Sequence, residues 1–487
     1  MILGSDPDGL TAAIALARSG YRVLVADEQP TAGGVCAPDE FHPGFVAPGL
    51  LHELPMSPAV ATQLRLVQHG LELIPPPAIR VGDRVVPGDP LAAAPELGPG
   101  WAAHREWVRT CASFLGRVAR GAAPPISRDA SLWPTVVAAL GLRRLGATTM
   151  SSVLRRGPLS LKDFLEEFMD DPAVMASLAL TGLAGTRLGP LDPITTPALL
   201  FRAATAEREP AGGGAGLVAA LLACASAEGV TVRTGVSIDR IRVGPDHADG
   251  VEIDGHMEDT NGVFAAGSLA PLVDRWLDPL AIPDDLAAPV AGWRARGDIA
   301  VVRLALSAPL SVDGTPVARL RTASDLMVLE RARDAVKYRG VADVLPLDAR
   351  QWSAQRAGLA PPGQHVVTVH AHGVSVEATR SWSHTERDAL GDRVIQQLEQ
   401  VAPGVRDAML ECSVLTPADL EQRGLHGGHL WQGELAFDQL WITRPARRLS
   451  QYHTGIPGLF LCSSATHPAP FSLGGSGVEA AAAALEG

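Results

Sequence analysis

The pattern of apolar and polar residues at the start of the chain predicts a strand, a turn, a helix and a second strand, in that order. Met1–Leu3 are apolar and run into a glycine turn, residues 4–9, after which the Ala- and Leu-rich residues 10–19 predict a helix. Residues 21–26 predict a second strand that ends at Asp27. This order, with an acidic residue after the second strand, is typical of a dinucleotide-binding fold.

The glycine turn departs from its usual pattern at Asp6. In G-x-G-x-x-G the second glycine lets the backbone approach a pyrophosphate at the helix N-terminus, and Asp6 takes that place here. Two like charges about 4 Å apart repel by roughly 4 kcal/mol at an effective dielectric constant of about 20. The same residues also form a favourable helix start, with Asp6 as N-cap, Pro7 at N1 and Asp8 in the first turn. Such a turn would fill its own anion site.

The later pattern predicts a second domain of helices and mixed sheet. Residues 76–200 have a mainly helical pattern, with an amphipathic helix predicted at 161–169, whereas residues 299–310 and 364–372 alternate as strands. We expect both strands to belong to a sheet that forms the floor of a substrate cavity. His365, His370 and His372 lie on the second strand, but no third ligand is evident beside the two that share a face, so we expect no metal site.

Composition narrows the class of protein. The chain has 487 residues, of which 46% are hydrophobic and 19% charged, with a net charge of −12. This length predicts two or more domains, and the acidic balance gives no electrostatic footprint for nucleic acid. The five scattered cysteines indicate neither a disulfide framework nor a zinc site. Because no signal peptide and no long apolar run is evident, we expect a cytoplasmic protein with at most peripheral membrane contact.

Several separated motifs, in a fixed order, resemble one protein family. They comprise Gly4, Gly9 and Asp27, the pair Gly33-Gly34, the Gly-rich run 210–217, the strand at 229–241, the run 415–445 and the closing run 458–479. These motifs resemble the FAD-dependent oxidoreductases related to phytoene desaturase, and among them the branch called pyridine nucleotide-disulphide oxidoreductase domain-containing protein 2. The resemblance implies an α/β fold with a Rossmann-like FAD/NAD(P)-binding domain. A second domain of mixed sheet and helices would hold the substrate, as in amine oxidases and phytoene desaturases.

The resemblance also implies domain boundaries and cofactor contacts. Residues 1–75, 205–290 and 450–487 would form the dinucleotide-binding domain, and residues 76–204 and 291–449 the substrate domain. Ile238 holds the position that usually touches the adenine. The positions matching the family's FAD contacts are Gly4, Asp6, Gly9, Asp27, Gly33, Gly34, Ile238, Ser463, Thr466 and Gly474.

Departures from the family pattern fall on cofactor positions. Asp6 replaces a glycine, Thr31 stands where the wider superfamily often has arginine, Ser463 replaces another glycine, and Ala469-Pro470-Phe471 replaces a glycine run. These four changes cluster at the pyrophosphate and flavin positions of the family. They put in question whether this chain uses FAD.

The resemblance points to three candidate catalytic residues. His467 would be the acid or base nearest a flavin ring, although a structural role before a proline turn explains it equally well. Glu479 is a second candidate. Gln432 stands where relatives tend to carry histidine, and an amide cannot exchange a proton near neutral pH.

Two hypotheses about function stay open. In the first, the chain is an FAD-dependent oxidoreductase of dehydrogenase or desaturase type that removes a hydride from a lipophilic biosynthetic small molecule, with the flavin carrying the redox chemistry. In the second, it is a flavin-free descendant that acts as a redox-neutral isomerase, cyclase or dehydratase through Asp6, His467, Glu479 or a neighbouring residue, or that binds a lipophilic molecule without catalysis. Fold alone does not decide between them, because function resides in sites. The sequence indicates no oligomeric state.

Overall fold

The computed structural model describes residues 1–124, 140–141, 143–144, 146–206, 208–447, 449–469 and 471–486. Its strands are β1 (Ile2–Leu3), β2 (Leu24–Asp27), β3 (Asp39–His42), β4 (Phe45–Ala47), β5 (Leu73–Ile74), β6 (Ile79–Val81), β7 (Arg84–Val86), β8 (Glu209–Pro210), β9 (Thr231–Thr234), β10 (Ile238–Val243), β11 (Ala248–Ile253), β12 (His256–Asp259), β13 (Val263–Ala265), β14 (Ile299–Leu306), β15 (Ser311–Val312), β16 (Thr315–Pro316), β17 (Arg319–Arg321), β18 (Leu347–Gln351), β19 (His365–His372), β20 (Met409–Leu415) and β21 (Leu459–Leu461).

The α-helices in the described part of the chain are α1 (Pro7–Arg18), α2 (Pro58–Gln63), α3 (Gly98–Arg120), α4 (Ala147–Arg156), α5 (Leu161–Glu166), α6 (Pro172–Leu183), α7 (Thr196–Ala203), α8 (Gly213–Ala227), α9 (Asp284–Ala291), α10 (Leu326–Lys337), α11 (Val376–Thr379), α12 (His384–Val401), α13 (Val405–Ala408), α14 (Pro417–Gln422) and α15 (Gly475–Glu486).

A parallel sheet organises the first structural layer. Within the described residues its five strands lie in the order β21-β13-β1-β2-β9. The pairs β1–β2 and β1–β13 are parallel, and α1 and α15 pack against each other beside the sheet. The predicted order of strand, glycine turn, helix and strand is therefore confirmed. The second strand begins at Leu24 rather than at Tyr21, because the Tyr21 N–H still bonds the Leu16 carbonyl at the end of α1.

A larger mixed sheet organises the second layer. Its seven described strands follow the order β20-β14-β19-β18-β17-β6-β7. Every residue of β14 is buried, since β19 and β20 flank it on both edges and its two faces are covered. Both alternating stretches predicted as strands are thus confirmed. The mainly helical pattern predicted for residues 76–200 did not include β6 and β7, a hairpin around Gly82 whose three-residue strands are too short to set a long-range period.

The two sheets fall on different parts of the chain. Strands of the parallel sheet lie within the ranges predicted for the dinucleotide-binding domain, and strands of the seven-stranded sheet lie within those predicted for the substrate domain. The exact boundaries stay a prediction. The predicted amphipathic helix is present but shorter, ending at Glu166. In the described part of the chain, no helix is both long and apolar enough to cross a bilayer.

Candidate functional site

Asp6 caps the helix that follows the glycine turn. Its carboxylate accepts hydrogen bonds from the backbone N–H groups of Gly9, at 2.8 Å, and of Gly267, at 3.1 Å. The side chain is 7% exposed, and this burial raises the pKa of Asp6 to about 6. The N-cap predicted from the Asp6-Pro7-Asp8 sequence is therefore confirmed. The N–H groups that serve an anion at such a turn already have a carboxylate as their acceptor.

Asp8 makes the equivalent contact with the last helix of the chain. It is fully buried and accepts hydrogen bonds from the Ser476 N–H, at 3.1 Å, and from the Ser464 hydroxyl, at 3.3 Å. Ser476 lies in the first turn of α15, so the N-terminal ends of α1 and α15 each face a carboxylate. Burial first, and the nearby charge of Asp6 second, raise the pKa of Asp8 well above its usual value.

Asp27 is also bonded within the protein. One of its oxygens accepts from both the N–H (2.7 Å) and the hydroxyl of Ser5, and the other accepts from the N–H of Gln29 at 2.8 Å. The Ser5 hydroxyl in turn accepts from the Gly33 N–H at 3.2 Å. The acid expected to meet a ribose thus ties the glycine turn to the paired-glycine loop.

The paired-glycine loop lies directly against Asp6. Gly34 has a φ of +56°, and a Cβ added to it would lie 2.9 Å from the Cβ of Asp6. Real Cβ atoms do not approach so closely, so only glycine fits at this position beside Asp6. The Gly33-Gly34 loop, which is predicted to contact the cofactor, therefore packs against Asp6, the residue that departs from the glycine motif.

A small cavity remains beside the glycine turn, with a volume of about 120 Å³. Asp6, Asp27, Gly34, Ile238 and Gln432 are among its lining residues, so the structure brings these predicted positions together with Gly4. Sites for drug-sized molecules and cofactors usually measure about 300–1,000 Å³. The cavity beside the glycine turn is smaller than that, and the Asp6 carboxylate takes the hydrogen-bond donors that a pyrophosphate would need. The Oε1 atom of Gln432 has no hydrogen-bond partner among the described residues.

The closing run packs on itself and on the second domain. The Ser463 hydroxyl accepts from the Ala465 N–H at 3.0 Å, and the Thr466 hydroxyl donates to the Ser463 carbonyl at 2.7 Å. Phe471 is 2% exposed and stacks on Phe201 of α7, with 5.2 Å between the ring centroids. Pro470 lies outside the described residues. Gly474 accepts a hydrogen bond from Thr11, which joins this run to α1.

His467 and Glu479 do not line the cavity beside the glycine turn. The Nε2 atom of His467 donates to the Val118 carbonyl at 2.7 Å, and burial lowers the pKa of this histidine to about 4. Glu479 lies half-buried on α15, where burial raises its pKa. Of the three catalytic candidates, only Gln432 borders that cavity. The catalytic roles of all three stay predictions.

A second cavity, which sequence reasoning missed, lies between α6, α7 and the edge of the seven-stranded sheet. Glu53, Arg202, Arg319, Glu209 and His52 contribute to its lining, and we call it the charged cavity. Arg319 pairs with Asp348 and Glu53, both at 2.5 Å. Sequence clues to this cluster were the Arg319-Leu-Arg321 and Asp348-Ala-Arg350 alternations, which place charges on one face of neighbouring strands.

Burial and neighbouring charges shift the pKa values of two groups that line the charged cavity, His52 and Glu53. Burial lowers the pKa of His52 to about 3, although Asp348 lies 3.8 Å away. Burial opposes ionisation of Glu53, but the guanidinium groups of Arg319 and Arg202 outweigh it and lower the pKa of Glu53 below its usual range. His370 stacks on His52, with 3.6 Å between the ring centroids. No grouping of side chains suited to a metal ion occurs among the described residues.

Comparison with known proteins agrees with this architecture. Residues 2–62 match the model of the NAD(P)-binding Rossmann-like domain. The pyridine nucleotide-disulfide oxidoreductase domain-containing protein 2 of Rattus norvegicus is 24% identical, and that of Mus musculus 25% identical, over 99% of this chain and 92% of each relative. By their names both relatives belong to an oxidoreductase family, and it is to this family that the chain is similar.

Solved structures share the fold at lower identity. An oxidoreductase from Methanosarcina mazei has a TM-score of 0.60 at 16% identity and covers 100% of this chain and 99% of its own. A putrescine oxidase triple mutant, made for a redesign of cofactor binding, has a TM-score of 0.63 at 13% identity, with coverage of 100% and 97%. Cyclohexylamine oxidase from Brevibacterium oxydans has a TM-score of 0.59 at 13% identity, with coverage of 100% and 98%. This chain therefore has the Rossmann-like fold of these oxidases and resembles, over nearly its whole length, pyridine nucleotide-disulfide oxidoreductase domain-containing protein 2.

Proposed function

We propose that this chain works without FAD, as a small-molecule-binding protein built on the oxidoreductase fold. The observation that carries the proposal is the pair of hydrogen bonds from the N–H groups of Gly9 and Gly267 to Asp6. A bound pyrophosphate would have to displace that carboxylate from its donors or lie beside it. Because two like charges about 4 Å apart repel by roughly 4 kcal/mol, either arrangement weakens binding strongly.

Two further contacts support the same proposal. Asp8 accepts from the N–H of Ser476 at the start of α15, the helix that closes over the flavin in the family that the chain resembles. Phe471 fills space against Phe201 in the closing run. The side chains of Asp6 and Asp8 thus accept hydrogen bonds at the N-termini of α1 and α15, the two helix ends that an extended dinucleotide would contact.

The charge states in the charged cavity favour binding over acid–base catalysis. A general acid or base works best with a pKa near the operating pH. The pKa of His52 is lowered to about 3 by burial and that of Glu53 lies below its usual range, so neither group exchanges a proton readily near neutral pH. For the charged cavity we therefore favour the binding of a small molecule over acid–base catalysis, and we propose no nucleic-acid partner.

One observation favours the competing function, an FAD-dependent oxidoreductase acting on a lipophilic substrate. Gly4, Gly34, Asp27 and Ile238 keep the family's residues and border one cavity beside the glycine turn. That cavity is thus lined by residues at the expected adenine, ribose and pyrophosphate positions, namely Ile238, Asp27 and Asp6. The two functions differ in one measurable property, which is the presence of flavin.

The test is the flavin content of the purified full-length protein. We expect a colourless preparation that shows no flavin absorbance and no binding when FAD is titrated in by calorimetry. Flavin in near-stoichiometric amount, or tight binding of added FAD, would overturn the proposal.

A double substitution then asks whether these residues block the cofactor. Asp6→Gly with Ser463→Gly restores two family residues, and a gain of FAD binding would identify them as the cause of the loss. Asp83→Asn, an exposed carboxylate outside both cavities, is the matched control. If the double variant folds and still ignores FAD, the rest of the arm, including Phe471, also excludes the cofactor.

A further inference from the structure

Arg202 is a buried cation that forms no direct ion pair with a carboxylate in the described part of the chain, although Glu53 lies close enough to interact with its charge. It lies on α7, is 6% exposed and lines the charged cavity. One of its terminal nitrogens donates to the Ala184 carbonyl at 2.8 Å, and its Nε has no hydrogen-bond partner among the described residues. Its guanidinium also lies over the ring of Trp431, 5.1 Å from the centroid. A guanidinium has five N–H donors, so Arg202 retains capacity to bind an anion.

The neighbouring arginines, in contrast, are paired. Arg319 binds Asp348 and Glu53. Arg321 binds Asp348 at 3.0 Å, and Arg350 binds Glu209. The carboxylates near Arg202 are therefore already engaged by other guanidinium groups.

The buried cluster carries one excess positive charge. Four arginines, Arg202, Arg319, Arg321 and Arg350, face three carboxylates, Glu53, Glu209 and Asp348. The histidines within the cluster, His52, His370 and His372, all have their pKa lowered by burial and are neutral near pH 7. Arg208, at the exposed edge of the cavity, adds a further positive charge. A monoanion bound beside Arg202 would balance the buried excess.

The size and walls of the charged cavity restrict such an anion. The volume of the charged cavity is about 60 Å³. One bound water molecule needs a cavity volume of at least about 10–15 Å³, so the charged cavity has room for roughly four to six heavy atoms. Its apolar lining includes Pro76, Ile79, Pro87, Pro90, Leu178 and Leu199. A planar carboxylate matches the fork of a guanidinium, and a short hydrocarbon tail matches these walls.

We propose that Arg202 in the charged cavity binds a short-chain monocarboxylate, with two to four carbons, whose tail contacts the proline- and leucine-lined wall. The proposal rests on the proposed function, since it names the ligand class of the cavity that we assign to small-molecule binding. Arg202 supplies the recognition of charge, while the paired Arg319 and Glu53 fix the polar end of the cavity.

The test compares butyrate with butyramide, a neutral molecule of nearly the same shape, by calorimetry and thermal unfolding of the full-length protein. Ionic strength is kept equal with sodium chloride. We expect butyrate to bind and raise the Tm, and butyramide to bind at least tenfold more weakly. Equal effects of the two molecules, or no effect of butyrate, would overturn the proposal.

Two variants locate the site. Arg202→Met keeps the side-chain length, removes the charge, and should weaken butyrate binding at least tenfold; its Tm without ligand shows whether the variant is folded. Arg202→Lys retains a point charge but loses the fork, so we expect an intermediate affinity that still favours butyrate over butyramide. Arg208→Gln is the matched control at the exposed edge and should change the affinity less than threefold. Butyrate binding that is unaffected in both Arg202 variants would overturn the assignment.

Flavin content, measured on the same samples, separates the two proposals. A flavin-containing protein would refute the proposed function while leaving the comparison of butyrate with butyramide valid. A colourless protein that ignores butyrate would refute the carboxylate site alone.

Discussion

Asp8 accepts a hydrogen bond from the backbone N–H of Ser476 at 3.1 Å, so a residue of the first helix caps the last helix of the chain. Two residues earlier, Asp6 caps its own helix and also bonds Gly267. One helical turn therefore satisfies N–H groups on three separate segments. In the family that the chain resembles, the corresponding positions face a cofactor.

Removal of the Asp8 carboxylate should destabilise the protein. Asp8→Ala leaves the Ser476 N–H and the Ser464 hydroxyl buried without their acceptor, and an unsatisfied buried polar group costs about 1–3 kcal/mol. We expect the free energy of unfolding, measured with urea, to fall by at least that amount. Asp8→Asn is the matched control, because its amide oxygen can still accept from Ser476, and it should lose less. Equal losses in the two variants would contradict the capping role.

Asp6 should make stability depend on pH. Its pKa of about 6 in the folded protein lies above its ordinary value of 3.8, because burial disfavours the charged form. The folded state therefore binds a proton more tightly, and this contribution to stability is complete below about pH 4 and is lost as the pH rises through 6. At about 1.4 kcal/mol per pKa unit, the loss is roughly 3 kcal/mol.

The measurement is a series of urea unfolding curves between pH 4 and 7.5. Relative to the wild type, Asp6→Asn should show a smaller decrease in stability over this range, because only the raised pKa of Asp8 then remains at this turn, whereas the exposed control Asp83→Asn should retain the full decrease. Parallel profiles for the wild type and Asp6→Asn would contradict the raised pKa.

Gly34 and Asp6 should be energetically coupled. Gly34→Ala places a methyl group 2.9 Å from the Cβ of Asp6 and also imposes a left-handed backbone on alanine. Overpacking costs typically 1–3 kcal/mol, and the left-handed conformation adds about 1–2 kcal/mol. In an Asp6→Gly background only the backbone cost should remain. A double-mutant cycle by urea unfolding should thus give a coupling energy of about 1 kcal/mol or more, and additive losses would rule out the contact.

The charged cluster around Asp348 should be sensitive to the loss of one partner. Asp348→Asn leaves Arg319 and Arg321 buried with less compensation, and breaking a buried ion pair from one side costs about 3–5 kcal/mol. We expect this loss in the free energy of unfolding at pH 7. Asp313→Asn, which removes the exposed partner of Arg80, is the control and should change stability by less than about 1 kcal/mol.

Local sequence determines much of the fold and part of the site. The capping role of Asp6 follows from its position before Pro7, and the strand at 299–306 follows from the alternating pattern of residues 299–310, because both depend on residues close together in the chain. The hairpin at β6 and β7 escaped prediction because three-residue strands carry too short a pattern.

Contacts between distant residues could not be predicted in the same way. Asp8 and Ser476 are 468 positions apart, and Glu53 and Arg319 are 266 apart. No periodicity or spacing in a single sequence records that such residues meet. The charged cavity forms where α7 meets the seven-stranded sheet, so it depends on the three-dimensional fold and not on local sequence.

The contact between Gly34 and Asp6 also bears on how this turn can change by evolution. Asp6→Gly alone would leave the N–H groups of Gly9 and Gly267 without their acceptor and would retain Asp8 nearby. Restoring glycine at position 6 therefore lowers stability unless a bound ligand supplies a new acceptor for these two N–H groups.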